Sequence, residues 1–477
     1  MKKVLSLAAC SALVLGFAAT ASAVHIEAPA ETSAVVAKGG LITVDGSLRM
    51  RGFSQTRALQ TNADGSVAGY DTRARLGFKV QTSDAVSGYL RLENGMATGD
   101  TEGWGLGTNA ATPGAAALFN GGEKMNGLEI LEAWINYKPG DWGVKVGHMP
   151  LALGNKLFFD HTGSGDDAIV AYTQMGNTHI AGLVIKFAEG LNPAAVAGAT
   201  HTDEIDGYVG LVTHKVSDAL SLGANWTNLH IGQAVTQATS GVANNSASFN
   251  NIGITVDGKM AGFTYGLDAE FQFGDMLTDI NGDGQLDDAG GYALMGTIGM
   301  DMGGWKLGAL IGYGSGDDNG NDNDADQFVN FLTDTRYQST IVGYRQAIPT
   351  LGAGGANLST AVGGNGRNTG LANMTLIQLS AATSTTCPLT GKPLDVKVRA
   401  NYMQLNEEAD PTGVAGNPND DLGFELELFA NWKLDNGLVY GVEAAYLWAG
   451  DAWATNAGAW NNEEDGFFLR HRLELKF

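Results

Sequence analysis

From residue 41 onward, apolar and polar side chains alternate along short segments of the chain. Ile42, Val44, Leu48 and Met50 share one face, and Thr43, Asp45, Ser47, Arg49 and Arg51 the other. Phe263, Tyr265, Leu267, Ala269, Phe271 and Phe273 alternate with Thr264, Asp268, Glu270 and Gln272. Phe424, Leu426, Leu428, Ala430 and Trp432 alternate with Gly423, Glu425, Glu427 and Asn431. A period of two belongs to a β-strand. The pattern predicts strands over 41–52, 70–82, 86–95, 127–138, 142–148, 166–174, 178–188, 205–215, 219–230, 247–257, 262–274, 290–301, 305–314, 372–382, 393–404, 421–433, 438–449 and 466–477. That makes eighteen strands, with sixteen as the alternative count.

The connections separate two architectures. A soluble sandwich also alternates, but has no reason to alternate its loop lengths. Here short links such as 83–85, 139–141 and 434–437 take turns with long ones such as 53–69, 96–126 and 315–371. The link 383–392, which contains Cys387, is the one that departs from the pattern. The fold class predicted is all-β: a transmembrane antiparallel up-and-down β-barrel with short periplasmic turns and long extracellular loops. In lipid every backbone group must be paired, so the last strand must close on the first.

Export fits this reading. Lys2 and Lys3 precede an apolar stretch, Val4 to Ala19, and Ala21-Ser22-Ala23 fits a cleavage site. Residues 1–23 read as a signal peptide. Leu7-Ala8-Ala9-Cys10 has the residue types of a lipoprotein site, but the apolar run continues past Cys10. Residues 24–40 follow as a short periplasmic segment, and 41–477 as the barrel. No later run approaches the ~18 apolar residues of a spanning helix.

Composition narrows the function classes. The formal charge is −23, which excludes a nucleic-acid binder. Two cysteines exclude a disulfide framework and a Cys-rich metal or haem site. No Gly-x-Ser-x-Gly elbow stands on a strand-to-helix turn, so no enzyme is expected. An energy-coupled receptor would carry a large plug ahead of its first strand, and 24–40 is far too short for one.

The last eleven residues, Phe467 to Phe477, resemble the closing strand of bacterial outer-membrane proteins, whose terminal Phe is read by the barrel-assembly machinery. Asp71-Thr72-Arg73-Ala74-Arg75-Leu76-Gly77-Phe78 resembles the second strand of many porins. Val144-Lys145-Val146-Gly147-His148 resembles the strand that leads into the constricting loop, and Tyr313 to Asn319 the strand-to-loop exit of larger porins of the alginate-export type. The chain thus resembles bacterial porins, among them the OmpJ-type major channels of metal-reducing bacteria. The resemblance implies an outer-membrane diffusion channel for small hydrophilic solutes and ions, without cofactor, surrounded by lipid and lipopolysaccharide and assembled as a homotrimer. It also implies that the third long loop, near 148–167, folds into the lumen; its apolar and aromatic middle suits packing against a wall. Two alternatives stand beside it: a barrel that sheathes a haem-bearing partner in an electron conduit, and a substrate-selective export channel.

Four expectations concern particular residues. Arg49, Arg51, Arg73, Arg75, Arg91, Arg470 and Arg472 fall on the inward faces of adjacent strands, as a basic wall. Asp160, Asp166 and Asp167 of the third loop, with Glu132, Glu425, Glu427 and Glu443 on other inward faces, are expected to oppose it. Opposed walls would set a transverse field that orients dipolar solutes. Asp279, Asn281, Asp283, Gln285 and Asp287 have the spacing of the start of a calcium loop, without its position-12 Glu; the acidic run 317–326 is expected to be polar cover. Trp142, Trp226, Trp305, Trp432 and Trp448 are placed in aromatic girdles. An arginine is expected to be costly at Leu426 or Leu428 and tolerated at Gly423.

Overall fold

The computed structural model describes residues 33–37, 40–56, 66–94, 128–188, 204–232, 236, 240–242, 245–279, 282–318, 322–332, 370–408, 420–454 and 465–477. The signal-peptide assignment lies outside these residues. Eighteen long strands alternate with the predicted short and long links. They are β1 (Gly40–Thr56), β2 (Ser66–Gln81), β3 (Val86–Asn94), β4 (Leu128–Tyr137), β5 (Trp142–Met149) and β6 (Asp166–Met175). Next come β7 (Thr178–Ala188), β8 (Ile205–Ser217), β9 (Leu220–Ile231), β10 (Ala247–Met260), β11 (Phe263–Gly274) and β12 (Tyr292–Met302). The last six are β13 (Trp305–Gly314), β14 (Met374–Thr386), β15 (Pro393–Leu405), β16 (Asp421–Asp435), β17 (Leu438–Ala449) and β18 (Gly466–Lys476).

Each strand pairs antiparallel with the next, and β18 pairs with β1 from Gln55↔Phe468 to Ser47↔Lys476. The sheet is therefore closed. Phe477 extends the seam, its N–H and C=O exchanging hydrogen bonds of 3.0 and 2.8 Å with Gly46. One further strand, Ser33–Ala37, folds back along the start of β1, with Ser33 opposite Val44 and Ala37 opposite Gly40. It takes up the edge of β1 beyond the end of β18, an element that the alternation from residue 41 onward did not foresee. The link holding Cys387 keeps to the alternation after all, because β14 runs to Thr386 and β15 starts at Pro393.

The two faces of the wall follow the period of two. Leu48, Met50, Leu76, Ile169, Leu222, Ile254, Leu294, Leu379, Leu426 and Leu428 are exposed on the outer face, where the solvent is lipid. Trp142 and Trp305 open β5 and β13 at the short-turn rim, and Trp448 lies near the loop end of β17, all exposed. Trp226 departs from the girdle and sits within β9. Trp432 is half-buried, packed on a small cluster of Cys387, Leu394, Val396 and Ala430. Gly423 does not tolerate a side chain: its φ is +104° and a Cβ would stand 2.1 Å from the Trp448 carbonyl. It is a poor site for the arginine expected there.

The inner face is polar on some strands and apolar on others. From β6 to β18 its half nearest the long loops carries Val170, Leu183, Ile185, Val209, Leu211, Leu229, Ile231, Phe249, Met295, Met374, Leu405 and Phe468, all buried. Two loops fold in and cover it. Met149 at the end of β5 and Leu151, Leu153, Leu157, Phe158 and Phe159 of the third long loop are at most 2% exposed. The loop between β13 and β14 supplies Phe328, Val329 and Phe331 to the same cluster. Phe331–Leu332 pairs parallel with Phe159–Asp160, and the Phe158 ring packs on Phe249 and Phe331. Gln272 of β11 holds Val329 from both sides, accepting from its N–H at 3.0 Å and donating to its carbonyl at 2.6 Å.

Candidate functional site

The lumen is the functional site of such a fold, and its charges are ordered by strand register. All seven predicted arginines stand on the inward faces of the contiguous strands β18, β1, β2 and β3. Arg51 lies opposite Arg472, Arg49 opposite both Glu474 and Arg73, and Ser47 opposite Arg75. Inward positions directly across two strands are about 5 Å apart. Arginines packed so closely need counter-charges within reach, and the neighbouring strands supply them. Arg75 is hydrogen-bonded to Glu93, and Arg470 to Glu443. Arg91 reaches Glu132 at 2.6 Å and Asp45 at 4.0 Å. A bulge after Arg91 sets it directly across from Glu132. Tyr89 completes this group: its hydroxyl donates to Asp45 at 3.0 Å and accepts from Arg91 Nε at 3.0 Å.

The acids expected to face this wall lie elsewhere. Glu132 and Glu443 belong to the wall itself, as partners of Arg91 and Arg470. Glu427 of β16 is bidentate with Arg399 of β15, a residue the sequence reading passed over, and Glu425 is buried beside it across from Asn401. Asp160 turns back on its own loop, accepting from the Thr162 N–H and hydroxyl with Lys156 at 3.4 Å. Asp166 is buried against His161, Nδ1 to Oδ1 2.8 Å. Asp167 points out of the barrel, since strand alternation turns it away from Asp166, and it pairs with His148 at 2.9 Å. The expected opposition fails for a general reason: in a strand wall, register fixes partners at a few ångströms, so charges pair sideways before they face each other across a lumen.

Acids do stand on the far side, and they are different ones. β10 lies nine strands from β1 in either direction. On it and on β11 the inward residues Asp257, Asp268 and Glu270 are 8%, 0% and 0% exposed. The tip of the third loop reaches them. The Asn155 N–H donates to Asp268 at 2.9 Å and its side-chain amide to Asp257 at 3.4 Å. Gly154 makes the approach possible: its φ is +53°, and a Cβ there would be 3.2 Å from Asp268 Oδ2. Asp268 and Glu270 were visible as the polar half of an alternating strand, but nothing in the sequence placed that strand opposite the arginines. Also unforeseen is Lys145 of β5, 1% exposed, with Nζ 3.7 Å from the centre of the Trp134 ring. It borders a cavity of about 190 Å³ with Asn136, Tyr172 and His179.

The acidic loop 275–291 lies beside the run 317–326, joined by parallel pairing of Asp288–Ala289 with Asp324–Ala325. Asp279 accepts from the Gly284 N–H, and Asp283 from Gln285 and Asn323. Asn281 lies outside the described residues. Partial burial, then the neighbouring Asp324, Asp318 and Asp322, raise the Asp326 carboxyl above its usual range.

No protein-family profile matches the chain, and no curated protein does. Solved structures match over nearly its whole length. It is similar to OccK9 (OpdG) of Pseudomonas aeruginosa, at 13% identity over 91% of this chain and 98% of that one, with a TM-score of 0.52. It is similar to Pseudomonas aeruginosa OpdQ, at 10% identity over 91% and 98%, with a TM-score of 0.51. The structure of Pseudomonas aeruginosa OpdK with vanillate matches at 10% identity over the same shares, with a TM-score of 0.50. At these identities the likeness is one of fold: a closed eighteen-stranded outer-membrane β-barrel.

Proposed function

We propose that this barrel is a passive outer-membrane channel for small hydrophilic solutes, and that it selects among them by size and charge. The carrying observation is the uneven interior. The third loop and the loop after β13 bury an apolar cluster against the loop-side half of β6–β18, which leaves the charged residues of β1–β4 and, further from the loops, of β15–β18 to line the polar path. A solute moving along it meets Arg75, Arg91, Arg399 and Arg470 already paired with carboxylates, so much of the charge is presented as local dipoles rather than as one bare field. Such a lining favours small solutes that can exchange hydrogen bonds with both signs. An interior filled by its own loops also argues against a sheath around a haem-bearing partner.

The test is a planar-bilayer recording of the purified protein and of an Arg49→Ala/Arg73→Ala/Arg75→Ala variant, in low salt where screening is weakest. The variant is expected to shift its reversal potential toward cation preference while still assembling. Unchanged reversal potential and conductance would remove these arginines from the conducting path.

A further inference from the structure

The cavity of about 190 Å³ beside Lys145 lies in the inner wall against the loop cluster. Val170 belongs to both, and Trp134 and Tyr172 pack on the cluster while lining the cavity. Strand register makes the room. Gly143 of β5 stands opposite Tyr172 of β6. Having no side chain, it lets the phenol lie over it; a Cβ there would be 2.5 Å from the Tyr172 oxygen. The Tyr172 hydroxyl donates to Asn136 Oδ1 at 2.8 Å, which leaves the NH₂ of that amide to donate elsewhere.

One charge enters this largely apolar recess. Lys145 stands in register beside Asn136 and Val170, is 1% exposed, and its Nζ meets no acceptor. The Trp134 ring covers one side of the ammonium, 3.7 Å from the ring centre. Such a contact returns part of the cost of burial, but it serves one direction of a group with three donors. Among the described residues the carboxylate that bears on Lys145 is Glu132, and both of its oxygens are already engaged. Oε1 meets Arg91 at 2.6 Å, and Oε2 accepts from the Trp134 indole N–H at 3.2 Å. A buried cation needs an anion or an acceptor, and the cavity is where one can stand.

We propose that this cavity binds a weakly hydrated monovalent inorganic anion, of the nitrate or iodide class, on the Lys145 ammonium with the Asn136 amide as second donor. The ammonium is a point charge and not a planar fork, which suits a small anion with no long body to orient. A single cation balances a single negative charge. Trp134, Val170, Tyr172 and Ala181 line the rest and cannot replace the hydration shell of a sulfate or phosphate. The site goes beyond the channel reading, and its test needs no conduction.

The experiment titrates sodium iodide into the detergent-purified barrel at constant ionic strength, made up with sodium sulfate, and follows tryptophan emission. Iodide that collides with exposed indoles quenches without saturating; iodide held beside Trp134 should add a saturable component. Sodium nitrate, which competes without quenching, should reverse that component, and sulfate should not. Lys145→Met should weaken half-saturation by about tenfold or more, the loss of one charged hydrogen bond. Ala181→Leu, which fills the cavity and keeps the lysine, should remove the component, as should Trp134→Phe, which removes the reporter. Arg49→Ala/Arg73→Ala/Arg75→Ala should leave it unchanged. The proposal is overturned if the wild type shows no saturable component, in which case Lys145 serves only to hold Trp134. It is equally overturned if the component survives in Lys145→Met or Trp134→Phe, if sulfate competes as well as nitrate, or if only the arginine variant loses it. Should Lys145→Met not fold, Ala181→Leu decides: an unaltered half-saturation there refutes the site.

Discussion

Two stretches of the same inner wall, β1–β4 and β6–β10, obey one geometric rule and reach opposite chemistry. On β1–β4 the inward positions include Asp45, Ser47, Arg49, Arg51, Arg73, Arg75, Arg91, Glu93 and Glu132, and several of them form ion pairs across the strands. On β6–β10 the inward positions toward the loops are Val170, Leu183, Ile185, Val209, Leu211, Leu229, Ile231 and Phe249, and two loops cover them. Both are strands with a lipid-facing apolar side. What differs is whether the other side meets water or protein. A barrel this wide can therefore be treated as two half-walls, one lining a path and the other serving as the floor on which the loops are built.

That comparison can be broken by substitution. The largest effect is expected from Phe158→Ala, which empties the centre of the loop cluster and should cost about 3–5 kcal/mol. Denaturant unfolding in lipid measures the cost, and a rise in single-channel conductance should accompany it if the loop narrows the lumen. A loss below 1 kcal/mol would mean that the loop is not anchored. On the charged side, Glu427→Gln takes the bidentate carboxylate from Arg399, whose side chain is only 14% exposed. Its cost should approach the about 3–5 kcal/mol of a broken buried pair, whereas Arg399→Met/Glu427→Leu should cost much less. Equal losses in both variants would show that the pair is not what stabilises this stretch.

The outer face gives a smaller effect. Leu428→Arg near the lipid midplane should cost about 2–4 kcal/mol. Ser221→Arg, which enters a lumen-side cavity of about 330 Å³, should cost little. Similar losses at the two positions would overturn the inside–outside assignment. The smallest effect concerns Cys387, in the turn after β14. Hydrogen bonds from the Thr390 hydroxyl and Trp432, and then from turn N–H groups, lower its thiol to about 7. Because the thiolate is the reactive form, alkylation of the folded protein should rise with pH through about 7, and after Trp432→Phe the midpoint should move up. At 5% exposure the rate should stay slow; a midpoint near 9 in the parent would deny these hydrogen bonds.

Much of this molecule was legible in the order of its residues. Strand identity, the alternation of turn and loop, the closing of β18 on β1 and the inward arginines all follow from a period of two and from the need to pair every backbone group in lipid. The apolar half-wall left a trace as well: Leu183-Val184-Ile185 is apolar on both faces, as strands covered on both sides are. The partners were not legible. Arg91 meets Glu132 through a bulge, Asp167 turns outward by a single step of the pleat, and Asp268 and Glu270 come to oppose the arginines because nine strands separate them around a closed ring. Residue order decides which face each side chain takes, since that is local backbone geometry. Only the closed barrel decides what it meets there, because register, bulges and circumference are set by how each strand pairs with the next and the last with the first.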